Sequence, residues 1–434
     1  MNETMLNLPV IQGVSNRALN AAVLLYTLWE AEKERSPLDR VTAGFFRSRR
    51  DLNSGERRWI SEAVYGSIRY LRRQTFLLEN LKLPDTPESR IRLWATPEQE
   101  TAQLPTPENP ASYLRMTLSF PDALAAELET LLGADALSAA KAFNAQAPTT
   151  LRTNPLRATR EQVLKALPDA APSRYSPWGV ALAHRVNIYD LPGFRKGWYE
   201  IQEEASQLVA LNTQAKPDMT VVDVGAGAGG KTLALAALMQ NRGRIIALDS
   251  SSQRLMELQK RAERAGATCI ETCLMPIDAT GNWQPAGREK RLWNRLFQKA
   301  DCVLLDAPCT GSGVLRRSPD AKWRAFDLAA MTALQQTLLV QAAMLVGSEG
   351  SLLYATCAFE RSQNEAVVSA FLASEVGLAF EQERLASPTP SHLITGAASE
   401  EASPASESRF LRTWPHLHGM DAFVAARMRR RKEK

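Results

Sequence analysis

One acid and two thiols carry the chemistry of this sequence. Asp306 closes an apolar run, Cys302-Val303-Leu304-Leu305, and is followed by Ala307-Pro308-Cys309 and then by Thr310-Gly311-Ser312-Gly313. Cys357 closes a second such run, Ser351 to Thr356. Short apolar runs bounded by polar or glycine residues read as strands buried on both faces of a parallel sheet. In such a sheet, ligands bind outside the carboxyl ends of the strands. A helix predicted over about Leu328 to Leu345 joins the two runs, making them adjacent or near-adjacent strands of a βαβ unit. A free cysteine by itself is most often a small buried hydrophobe. Two of them beside an acid, on the edge where ligands bind, call for a chemical reason.

A third strand, Met219 to Val224, runs into Gly225-Ala226-Gly227-Ala228-Gly229-Gly230-Lys231-Thr232 and then a helix, Leu233 to Met239. Glycines let backbone approach a ligand, and a helix N-terminus offers unpaired N–H groups. The next strand, Arg244 to Asp249, ends in a carboxylate about twenty residues further on, where ribose hydroxyls are bound. The strand after it runs to Asp278, expected to meet an adenine amino group. Gly225 to Thr232 also has the spacing of a P-loop, so ATP stays open, as does a nicotinamide nucleotide. Neither gives the paired thiols a task. S-adenosylmethionine does, because C5 of cytosine is a poor nucleophile until a thiolate adds to C6. That addition makes C5 an enamine carbon able to take an electrophilic methyl. A carboxyl group such as Asp306 promotes the addition through N3, and a second thiol assists removal of the C5 proton.

The 434 residues suffice for about three domains, and 45% hydrophobic residues for a core. Five cysteines without framework spacing point to a reducing, cytoplasmic setting, and four scattered histidines to no metal site. No apolar run reaches membrane-spanning length. A net charge of +5 is modest, but arginines cluster at Arg47 to Arg58, Arg69 to Arg73 and Arg427 to Arg431, as in polyanion-binding proteins. Residues 1–147 read as a helical domain, with a cap at Asn53-Ser54-Gly55-Glu56 and a linker from Pro84 to Pro110. Residues 148–199 read as a small α+β module, and residues 200–430 as a doubly wound α/β sheet domain.

Three motifs, DAPCTGSGVLRRSPDAKW (Asp306 to Trp323), YATCAFERSQNE (Tyr354 to Glu365) and GAGAGGKT (Gly225 to Thr232), resemble the Nop/Sun family of RNA cytosine-5 methyltransferases, within it the RsmB-like ribosomal RNA enzymes. The resemblance covers about Thr149 to Arg430, and the helical region is more weakly similar to a NusB-type RNA-binding domain. It implies a Rossmann-like class I methyltransferase fold and S-adenosylmethionine as cofactor. By the same resemblance Cys357 is the nucleophile, Cys309 aids product release, and Asp306 contacts both the methionine end and the target base. Gly225, Ala226, Gly227, Ala228, Gly229, Gly230 and Lys231 would cradle the cofactor, with Asp249 at its ribose and Asp278 at its adenine. Arg316, Arg317 and Lys322 follow the catalytic loop and are expected to hold RNA phosphates, with Trp323 a candidate to stack on a base. The chain departs from the family at Gly225 and Ala228, where Cys and Pro are usual, and at Asp421-Ala422-Phe423-Val424, where Asp-Gly-Phe-Phe is usual. The expected substrate is ribosomal RNA, acted on by a monomer. Transfer RNA, or a catalytically idle RNA-binding assembly factor, are the alternatives.

Overall fold

The computed structural model describes residues 11, 13–96, 104–184, 186–278, 280–383, 385 and 409–432. The chain divides into two units, residues 1–146 with 314–326, and residues 147–313 with 327–434.

The first unit is helical. Helices Asn16–Glu32, Leu38–Ser48 and Ser54–Arg69 turn their apolar faces to one core around Leu25, Tyr26, Trp29 and Ile60, while Leu71–Asn80 buries Leu77 and Leu78 in a smaller cluster with Leu93. Asn53 and Glu56 form the reciprocal capping box that their spacing predicts. The expected linker is in part a helix, Pro87–Ala95. Thr86 caps it, Pro87 sits in its first turn, and Ile91 and Leu93 are buried. Its high Pro and Glu content masked two buried apolar side chains. Residues 97–103 of that linker lie outside the described residues.

Val314–Phe326 belongs to this helical unit, not to the sheet it follows. Lys322 is buried, its ammonium donating to Asn144 Oδ1 at 2.6 Å and to the carbonyls of Arg69 and Ser119. Burial and the Arg69 charge hold its pKa well below the usual lysine range. Trp323 donates its indole N–H to the carbonyl of Ile68. Lys322 is thus occupied inside the helical unit, contrary to its expected place on a phosphate. Arg316 is also buried, with Nη2 at 3.5 Å from the carbonyl of Gln146.

The second unit holds two sheets. Strands β1 (Thr149–Thr153), β2 (Ala170–Pro172), β3 (Gly179–Leu182) and β4 (Tyr199–Ile201) form an antiparallel sheet in the order β2-β3-β1-β4. The larger sheet is built from β5 (Thr220–Val224), β6 (Arg244–Asp249), β7 (Ile270–Leu274), β8 (Ala300–Asp306), β9 (Val346–Thr356), β10 (Phe380–Gln382), β11 (Phe410–Arg412) and β12 (Val424–Arg430). Its order is β10-β12-β9-β8-β5-β6-β7, with β11 beside β12. The five strands from β5 to β9 are mutually parallel, and β10, β11 and β12 form an antiparallel edge. Val222, Val303, Leu305 and Leu352 fill its core, which is why these strands read as continuous apolar runs. This is the Rossmann-like methyltransferase arrangement. The arginines of 427–431 are not a loose tail: Arg427, Arg429 and Arg430 lie on β12, and Arg427 and Arg429 pair with Glu383.

From β5 the chain winds to β6 and β7 on one side, then returns to β8 and β9 on the other. The order therefore reverses between β5 and β8, and a ligand crevice opens at such a switch point. The glycine turn follows β5 and the Asp306–Cys309 turn follows β8, so both are delivered to that crevice. Among the described residues, no helix is long and apolar enough to cross a membrane, and no group of three His, Cys, Asp or Glu side chains is placed to hold a metal.

Candidate active site

Register sets the site. β8 pairs with β9 so that Asp306 faces Ala355, and the N–H of Ala307 donates to the Ala355 carbonyl at 2.9 Å. Cys309 and Cys357 then leave the sheet in step, and their sulfurs stand 3.4 Å apart. Both line a cavity of about 530 Å³ together with Gly225, Lys231, Asp249 and Asp306.

The glycine turn fits its neighbours closely. Gly225 has φ +78°, and a Cβ there would stand 2.6 Å from the carbonyl oxygen of Asp306. Gly229 has φ +88° at the helix N-cap, where a Cβ would strike Leu258. Both positions need glycine on steric grounds. The Gly227 N–H donates to Asp249 Oδ2 and that of Ser251 to Asp249 Oδ1, each at 2.8 Å. The carboxylate is thereby fixed at the rim, with acceptor capacity left for hydroxyls.

Lys231 lies at the other end. Its Nζ is 2.7 Å from Asp306 Oδ2 and 5.4 Å from the centroid of the Phe423 ring. Burial depresses its pKa, but the Asp306 carboxylate overrides this and raises it, so the ammonium persists. Beneath it, Thr232 Oγ1 donates to Asp223 Oδ2 at 2.6 Å, while Oδ1 of Asp223 is buried without a partner. Burial pushes the Asp223 carboxyl up to about 7. The Lys and Thr that a P-loop would turn to phosphate and magnesium are thus engaged with two strand-end acids.

The two thiols hydrogen-bond to each other. The hydrogen bond from Cys357 lowers the Cys309 pKa, against burial and with help from backbone N–H groups of Gly311 and Cys357. The same bond raises Cys357 well above the usual thiol range, followed by burial and by repulsion from Cys309 and Asp306, while Lys231 pulls it down. Of the two, Cys309 is therefore the more acidic thiol.

Asp278 does not line the cavity. Its carboxylate accepts from Thr280, Asn282 and Gln284, closing its own turn. β7 ends at Leu274, and the wall past it is apolar, formed by Met275, Ile277 and Trp283 with Leu334 and Leu338. Sequence reasoning missed this slot because its members come from separate elements. It also missed Gln202, Ser206 and Arg254 on the cavity wall. Gln202 is braced by Arg152 of β1, which donates to its Oε1 and, at 2.5 Å, to the carbonyl of Gly230. The guanidinium is fully buried, which lowers its pKa to about 9. The small sheet therefore supports the glycine turn directly.

A doubly wound sheet with a glycine-turn cavity at its switch point and two thiols in contact across that cavity defines a methyltransferase of the Rossmann-like class. The family model for the 16S rRNA methyltransferase RsmB/F matches residues 209–429, and that of the RsmF/B-like ferredoxin-like domain matches residues 120–189. The chain is 32% identical over 320 residues to a probable ribosomal RNA small subunit methyltransferase B of Synechocystis, covering 72% of this chain and 67% of the relative. To its counterpart in Bacillus subtilis it is 30% identical, covering 75% and 69%. A methyltransferase homolog from Pyrococcus horikoshii superposes with a TM-score of 0.59 at 26% identity, over 74% of this chain and 99% of that one. This chain belongs to the RsmB/F family of methyltransferases.

Proposed function

We propose that this protein transfers a methyl group from S-adenosylmethionine to C5 of a cytosine in RNA, through a transient bond between Cys357 and C6. Ribosomal small-subunit RNA is the substrate that the relatives' names carry. The 3.4 Å contact between the Cys309 and Cys357 sulfurs, on the cavity wall that holds Lys231 and Asp306, carries this reading. The cavity suits the cofactor: an apolar slot at Met275 and Trp283 for a purine, a fixed carboxylate at Asp249 for ribose hydroxyls, and glycine backbone between them. When bound, S-adenosylmethionine supplies an electrophilic methyl at its sulfonium.

The residues of this chain divide the work. Cys357 gives its proton to water and adds to C6 as the thiolate. Lys231 donates a proton to N3, and Asp306, hydrogen-bonded to it, accepts from the exocyclic amino group. After methylation N3 returns its proton to Lys231. Loss of the C5 proton to water re-forms the C5–C6 double bond and breaks the C6–sulfur bond. The departing Cys357 sulfur takes a proton from Cys309, which regains one from water. The balance is one methyl gained by the base and one proton released.

A second reading exchanges the thiols, because the lowered pKa of Cys309 makes it the more acidic of the two. Incubation with RNA and labelled S-adenosylmethionine, followed by a denaturing gel, separates the two. Cys309→Ala is expected to accumulate a protein–RNA adduct and Cys357→Ala to form none. The reverse pattern exchanges the roles, and absence of methyl transfer by the wild type overturns the proposal.

A further inference from the structure

The sheet register brings the two thiol turns near each other but does not fix the sulfurs, since both lie beyond the last paired residues, Asp306 and Ala355. What holds them is a buried polar cluster that the catalytic steps above do not use. Gln335 Nε2 donates to the carbonyl of Pro308 at 2.8 Å and to Gln363 Oε1 at 3.1 Å. Gln363 Oε1 also accepts the N–H of Thr310 at 3.0 Å, and its Nε2 donates to Thr310 Oγ1 at 2.8 Å. The peptide groups on both sides of Cys309 are thus held by two amide side chains, both fully buried. Glu360 accepts from Thr310 Oγ1 at 3.1 Å and from Ser312 Oγ at 2.5 Å, tying the far side of the Cys309 turn to the Cys357 turn. The N–H of Gly313 closes the clamp on the carbonyl of Cys357 itself, at 2.9 Å.

Gln335 comes from the helix Leu328–Ala343, while Glu360 and Gln363 follow Cys357, so two separate chain segments converge on one turn. Buried amides and carboxylates are costly unless each is bonded. Here two of their bonds go to the peptides flanking Cys309, and three to the Thr310 and Ser312 hydroxyls of the same turn.

We infer that Gln363, with Gln335 and Glu360, is a positioning residue that sets the Cys309–Cys357 sulfur contact and so governs release of the methylated base rather than formation of the adduct. The inference rests on the function proposed above. Attack on C6 needs Cys357, whose turn is also held by β9 and its neighbours. Return of the proton needs Cys309 at contact distance, and a displacement of about 1 Å is enough to cost a reaction step about a hundredfold.

The test compares wild type, Gln363→Leu, Gln335→Met and Cys309→Ala in labelled methyl transfer and adduct gels. Gln363→Leu and Gln335→Met are expected to lower turnover about tenfold or more while raising the trapped protein–RNA adduct toward the Cys309→Ala level. Gln363→Leu combined with Cys309→Ala should trap no more adduct than Cys309→Ala alone. A purely structural role would instead lower turnover and adduct together, and that result, or unchanged adduct in both variants, overturns the inference. If Cys309→Ala itself traps nothing, the proposed function fails first.

A second measurement needs no RNA. The dithiol oxidant diamide removes two hydrogens from the pair to form a disulfide and is itself reduced to the hydrazine. The loss of two hydrogens is read by mass spectrometry. Gln363→Leu should slow this closure about tenfold, and closure at the wild-type rate in both variants would show that the cluster does not set the contact.

Discussion

Lys231 Nζ lies 2.7 Å from Asp306 Oδ2, joining the glycine turn after β5 to the acid that ends β8. The lysine is nearly buried, whereas the carboxylate side chain is about one-third exposed (10% and 32%). The pair is therefore both a structural tie across the switch point and a proton donor–acceptor pair at the cavity wall.

Asp306→Asn leaves the Lys231 ammonium buried without its counter-ion. Partial exposure of Asp306 softens the penalty, so a loss of about 2 kcal/mol in unfolding free energy is expected, below that of a fully buried broken pair. Methyl transfer should fall by two orders of magnitude or so, since the N3 donor loses its orientation. Urea unfolding and labelled methyl transfer measure the two effects, and Lys231→Met with Asp306→Asn should cost less than the sum of the single variants.

Asp223 gives the pH dependence a defined sign. Its carboxyl has a pKa of about 7 in the folded protein because it is buried, against the ordinary carboxylate value when unfolded. Below about pH 4 both states hold the proton and no penalty arises. As pH rises from 4 to 7 the unfolded state ionises first, so this contribution to stability is progressively lost and is gone above 7. Asp223→Asn keeps an acceptor for Thr232 and does not titrate. Its unfolding free energy from urea titration should gain on wild type between pH 4.5 and 8, by about 4 kcal/mol at most.

Asp249 and Asp278 were expected to bind two ends of one cofactor, and the structure separates them. Asp249→Ala is expected to weaken S-adenosylmethionine binding by about tenfold or more, as loss of an acceptor to two hydroxyls does. Asp278→Ala should leave that affinity nearly unchanged and lower stability slightly through its own turn. Isothermal titration calorimetry reads the first effect and thermal unfolding the second.

Lys322 provides a test of its buried place. Lys322→Met removes the donor from the carbonyls of Arg69 and Ser119 and from Asn144 Oδ1, costing about 1–3 kcal/mol. The slope of RNA affinity against salt concentration should not change, whereas loss of a phosphate contact would reduce it by about 1.

Much of this site is written locally. A strand ending in Asp306, a turn carrying Cys309, and the glycines after β5 are recognisable because burial on both faces demands apolar runs, and tight turns demand glycine. The clamp of Gln335, Glu360 and Gln363 was not legible, because glutamine and glutamate are ordinary surface residues until a fold buries them. Asp278 misled for the complementary reason: it follows a strand, but its strand ends four residues earlier.

By itself, the sequence determined the doubly wound sheet and the identity of its acid and thiols, since these follow from patterns short enough to read along the chain. Only the tertiary structure decided which groups meet. It set the sulfurs 3.4 Å apart, paired Lys231 with Asp306, and drew Lys322 and Trp323 into the helical unit. Such contacts depend on strand register and on the packing of segments far apart in the chain, and no local periodicity encodes them.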